Sequence, residues 1–140
     1  TYISYFQKKI FINDEKFINK KIFIDYFKII ILISGSLLIL TPFMANYVKI
    51  DILNFNIVIL LFLHSILWCV SSFFDMYLTK TNNNKSILIS MLFSLLIFVS
   101  ILFSFQKNFL LIFCLALNIS TMIYLFLIIF KIKRIGINFN

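Results

Sequence analysis

Residues 57–78 read IVILLFLHSILWCVSSFFDMYL. At about 1.5 Å per residue, a helix of this length crosses the roughly 30 Å hydrocarbon core of a bilayer. The run holds the chain's one His and one Trp, together with Asp75, the one acidic residue inside an apolar segment. His64, Trp68, Ser71 and Asp75 follow one another at i, i+4, i+7 and i+11, which places them on one helical face. Lipid satisfies no polar group, so such a stripe has to face protein or water.

The rest of the chain repeats the pattern. Of 140 residues, 62% are hydrophobic and 13% charged, and mean hydropathy is +1.05. A soluble domain is nearer half apolar. Four runs are long enough to span: residues 26–44, 57–78, 86–105 and 109–130. They are continuously apolar rather than alternating, and too long for barrel strands. The expected fold is therefore an all-α integral membrane protein with four transmembrane helices. A basic arm precedes it over residues 1–25 and a basic tail follows over 131–140. The first run lies behind a lysine-rich lead and carries no small-residue cleavage site, so it is expected to persist as a span. The chain opens on Thr1 rather than Met, so a processed or incomplete N-terminus is expected.

The net charge of +8 sits at the ends of the apolar runs, where orientation signals lie, and not in a patch suited to nucleic acid. With four spans, eleven Lys and Arg residues fall on one side: those of the arm, Lys28, Lys80, Lys85 and the tail. Only Lys49 and Lys107 fall on the other. The positive-inside rule then puts both termini on the inner side, in a bacterial inner membrane or an organellar one such as the mitochondrial inner membrane. Abundant Phe, Ile, Lys and Asn beside scarce Gly, Pro and Arg point to an AT-rich genome. Cys69 and Cys114 both lie in apolar runs without a C-x-x-C and read as small core residues.

Within the arm, Lys9, Asn13, Lys16 and Lys20 share a helical face, with Phe6, Ile10 and Phe17 on another. This suits a basic helix lying at the membrane interface, or an arm reaching a neighbouring subunit. Asn13 or Asp14 is placed to cap a helix. Ser34, Gly35 and Ser36 form a small patch in the first span where another helix can approach, and Pro42 is a natural stop or kink. Residues 45–56 alternate apolar and charged and suit an interfacial loop. Residues 79–85, TKTNNNK, are a turn, and Gln106-Lys107-Asn108 is a short link that makes the last two spans a hairpin.

Ser86, Ser90, Ser94, Ser100 and Ser104 fall in one arc of the third span. They read as a helix-packing seam, with a pathway lining as the alternative. Asn118 lies mid-span in the fourth, with Cys114 and Thr121 on its face, and suits an interhelical hydrogen bond or a polar cavity wall. Three roles are open to His64: a hydrogen-bonded interface histidine, a proton or substrate contact, or a haem ligand. Asp75 is near enough to the inner end to reach headgroups or Lys80. Trp68 is too deep for the aromatic belt and is expected to pack beside His64.

No nucleophile stands beside a base, no carboxylates pair, and neither metal-ligand spacing nor a phosphate loop occurs, so an enzyme is not expected. Two functions follow. One is a non-catalytic subunit that packs into a larger membrane complex, through other subunits or self-association. The other is a small carrier or flippase for a lipid-linked or amphipathic substrate, with His64, Trp68, Asp75 and Asn118 facing a shared cavity. The chain resembles the small multidrug exporters in size and span number. Their signature Glu in the first helix is replaced here by Ile and Ser, and no Glu follows Glu15. It is also similar in length and topology to four-span flippases of the GtrA type, a resemblance that implies a lipid-linked substrate.

Overall fold

The computed structural model describes residues 2–12, 20–48, 55–104 and 109–135. These residues form five helices and no strand: α1 (Tyr2–Ile12), α2 (Lys20–Val48), α3 (Phe55–Lys80), α4 (Asn84–Ser104) and α5 (Phe109–Arg134). The most apolar stretches of α2 to α5 have mean hydropathies of 2.1, 2.3, 2.7 and 2.4, and each helix is long enough to cross a bilayer. The protein is thus an all-α, four-span membrane protein with one additional short helix.

The spans do not share burial equally. In α5, 39% of the most apolar stretch is buried within the molecule, against 6% in α4. α5 is therefore the central helix. It packs along α3, which runs in the same direction, and along α4, which returns between them. α2 rests on α3 from the outside.

The core gathers at one end of the bundle, where α3 turns into α4. Phe73 and Leu78 of α3 and Ile128 of α5 are fully buried there, beside Tyr26 and Ile30 of α2. Phe73 is the hub: its ring lies 5.1 Å from those of Phe23 and Tyr26 and 5.3 Å from that of Tyr77. Tilted and edge-on aromatic pairs of this kind add to the energy of burial. Ile22, Tyr26 and Ile30 follow at i, i+4 and i+8, and this face is why α2 begins at Lys20, six residues before the expected start of the first span.

α1 closes the same end. Phe6 and Ile10, one turn apart, are buried, while Lys8 and Lys9 are exposed. The Phe6 ring meets Tyr26 edge-on at 5.1 Å. Lys80 Nζ donates to the Ile10 carbonyl at 2.8 Å, satisfying one of the orphan acceptors at the end of α1.

The turn between α3 and α4 shows why three asparagines stand there. Asn82 has φ 56°, a left-handed conformation that Asn tolerates better than most residues. Asn83 N donates to Leu78 O at 2.9 Å and Asn82 N to Thr79 O at 3.0 Å, the paired bonds of a Schellman C-cap. Pro42 does not stop the first span, since α2 runs on to Val48 and takes in the first four residues of the expected interfacial loop. The rest of that loop at 49–54, the capping role of Asn13 or Asp14, and the 106–108 link lie outside the described residues.

Candidate functional site

The costly polar residues of α3 and α5 meet at the interface between these two helices. Asn118 is buried on α5, and its Nδ2 donates to Leu60 O across the interface at 2.9 Å and to Cys114 O in its own helix at 2.8 Å. One turn on, Thr121 Oγ1 lies 3.2 Å from His64 Nδ1 and donates to Leu117 O at 2.7 Å. Further toward the core, Tyr124 Oη donates to Asp75 Oδ1 at 2.8 Å. Three links therefore tie the stripe of α3 to the stripe of α5. Side chains at i, i+3 and i+6 of α5 supply all of them, because these positions stay within one helical face.

The α3 stripe does not stay together. Ser71 is buried and donates to Leu67 O in its own helix at 2.9 Å. Trp68 is 48% exposed, on the outside of the bundle, and its ring centre lies 6.4 Å from that of His64. Asp75 turns inward to Tyr124, while Lys80, the partner the sequence offered it, is turned to the carbonyl of Ile10. A mid-span phenol has one proton that lipid cannot accept. Tyr124, three residues past Thr121, therefore carried a readable signal. Tyr26, at the head of the first expected span and so without that signal, donates its Oη proton to Cys69 O at 3.2 Å.

The serine arc of α4 divides in two. Ser90 is buried and Ser86 and Ser94 are half-buried, whereas Ser100 and Ser104 are exposed. The last two donate to Leu96 O and Ser100 O of their own helix at 2.7 and 2.8 Å. The chain's own packing thus uses only the half of the seam nearest the turn.

Two hollows flank α3. One, of about 380 Å³, lies between α3, α4 and α5 and has His64, Trp68, Leu95, Phe98 and Thr121 among its walls. The other, of about 240 Å³, lies between α2 and α3 under Ser34, Thr41 and Ser65. Beside it on α2, a Cβ placed on Gly35 would meet nothing within 4 Å. Among the described residues, no three His, Cys, Asp or Glu side chains gather to hold a metal ion. For a haem, His64 is the only histidine the chain offers.

Fold and site together define a multi-pass helical membrane protein whose intramembrane polar side chains bond mostly to backbone carbonyls, with two side-chain pairs, His64–Thr121 and Asp75–Tyr124, joining α3 to α5. Comparison with protein families, with characterised proteins and with solved structures finds no match.

Proposed function

We propose that this chain is a non-catalytic integral membrane subunit that packs into a larger membrane assembly and stabilises it. Its lysine-rich end would face the cytoplasm or an organelle matrix. The observation that carries the reading is the unfilled notch of α2. Gly35 has open space where a Cβ would stand, Ser36 beside it is exposed, and Leu32 and Ile39 flank it at 70% and 67% exposure. Small residues on a membrane helix let a second backbone approach closely, and close packing is what drives helices together in lipid. None of this chain's own described helices fills that notch.

The alternative is a small carrier for an amphipathic substrate, which needs the polar stripes of α3 and α5 to face a common wet cleft. What favours the subunit is that Asn118, Asp75, Tyr124 and the Nδ1 side of His64 are engaged in contacts between the two helices.

The test is native electrophoresis and mass spectrometry after extraction in mild detergent, comparing the natural chain with Gly35→Leu. The natural chain should migrate in an assembly far larger than its own 16.6 kDa. Gly35→Leu should release it while leaving its helicity unchanged, because the Cβ it adds stands in open space. Recovery of both only as a monomer or small homo-oligomer would overturn the proposal.

A further inference from the structure

The hollow between α3, α4 and α5 has a wall whose hydrogen-bonding character can be worked out proton by proton. Thr121 Oγ1 has one proton, and it lies 2.7 Å from Leu117 O, an atom that only accepts. The proton belongs to that bond. The 3.2 Å contact with His64 Nδ1 is then attractive only when Nδ1 carries the hydrogen and donates to Thr121. A neutral imidazole protonated at Nδ1 has its lone pair on Nε2. The Leu117 carbonyl is the ring's other neighbouring acceptor, and it too calls for an N–H on the imidazole; the one side-chain contact of the ring is at Nδ1, and Nε2 is not sealed off by the described residues.

The other polar groups of the wall are acceptors as well. Ser94 donates to Met91 O at 2.9 Å, Ser120 to Leu117 O at 3.0 Å, and Tyr124 to Asp75 at 2.8 Å. Each hydroxyl has given its proton away and keeps lone pairs. The remaining donor is the indole N–H of Trp68, half-exposed at the rim. The rest of the lining is apolar, with Leu92, Leu95 and Phe98 the largest part of α4's share.

Depth narrows the occupant further. His64 lies eight residues from Asn56 and sixteen from Lys80, the ends of its apolar span. That is roughly 12 Å and 24 Å along the axis, well inside the hydrocarbon. A phospholipid headgroup stays at the interface. A neutral molecule with one hydroxyl on an apolar body reaches this depth without stranding a charge.

We propose that the α3–α4–α5 hollow is a binding site for a long-chain lipid alcohol, whose hydroxyl donates to His64 Nε2 while its hydrocarbon lies along Leu92, Leu95 and Phe98. An ester or ether, which only accepts, leaves His64 unpaired. The site stands apart from the notch at Gly35, on another face of α3, and neither depends on the other.

Trp68 is the chain's one tryptophan and reports directly on the site. The experiment titrates the full chain, in nanodiscs, with octadecanol brominated at mid-chain. The methyl ether of the same alcohol and a brominated phosphatidylcholine serve as controls, and bromine quenching of Trp68 is read. The alcohol should quench saturably, with an apparent affinity about fivefold above that of the ether, as one hydrogen bond supplies. His64→Leu should bring alcohol and ether to the same value. Ser94→Phe, which fills the hollow at a residue bonded only to its own helix, should remove the saturable component for both. Equal quenching by alcohol and ether in the natural chain would overturn the site. So would quenching no different from that by the phosphatidylcholine, or a preference that survives His64→Leu. Should His64→Leu fail to fold, the alcohol–ether comparison and Ser94→Phe still decide.

Discussion

Asn118 shows how far a single polar residue can be satisfied in this bundle. Both amide protons reach carbonyls, yet among the described residues Oδ1 is buried without a partner. Flipping the amide would aim its oxygen at two carbonyls, so the orphan follows from chemistry and not from atom assignment. The interhelical bond to Leu60 O is worth about 0.6 kcal/mol in lipid. An unsatisfied buried acceptor costs about 1–3 kcal/mol. Leu60 O still has its own helix's ladder partner once Asn118 is gone. Asn118→Leu should therefore leave stability unchanged or slightly raised, read by detergent-induced unfolding in mixed micelles with Trp68 fluorescence as the probe. A loss beyond about 2 kcal/mol would show that Oδ1 is held by another group in the membrane. The cost of His64, Asp75, Asn118 and Thr121 in lipid was legible from the sequence. Their partners were not, because pairing depends on the register between α3 and α5. Asp75 illustrates this: Lys80 is near in sequence, and Tyr124, 49 residues away, takes the contact.

At the scale of elements, the four apolar runs announced their helices through length and hydropathy alone. The boundaries depended on packing. α2 starts early because Ile22 and Tyr26 have a core to enter, and α1 is held by Phe6 and Ile10 against that same core. The α3–α4 turn is where local chemistry sufficed, since a run of Asn suits the backbone that a C-cap requires. Asn82 is the residue at positive φ and is exposed, so substitutions there report on backbone conformation and little else. Asn82→Gly should be neutral or mildly stabilising. Asn82→Val should cost about 1–2 kcal/mol, the penalty of a β-branched side chain in the left-handed region. Thermal unfolding of the two variants in one detergent tests the difference. Equal midpoints would mean that the turn is not held in this geometry.

Across the whole molecule, packing and charge are concentrated at the same end. The aromatic core, α1, the start of α2, the end of α3 and the end of α5 all meet where the Asn turn lies. Lys8, Lys9, Lys20, Lys21, Lys80, Lys131, Lys133 and Arg134 belong to these same elements, and Lys85 stands at the start of α4 just after the turn. A bundle with its firm end and its cations together can hold that end fixed in one aqueous compartment while the far halves of α2 and α4, whose Leu37, Leu40 and Leu96 are exposed, meet lipid or other helices. Cations resist crossing the membrane during insertion, and the topology proposed above keeps the lysine-rich end on the side of synthesis. The resulting topology is checked with single cysteines in a chain carrying Cys69→Ala and Cys114→Ala. A membrane-impermeant maleimide should label Lys85→Cys and Lys133→Cys from the same side, and Lys49→Cys only from the opposite one. Labelling of the first two from opposite sides would break the even number of crossings. Labelling of all three from one side would mean that α3 does not traverse the bilayer.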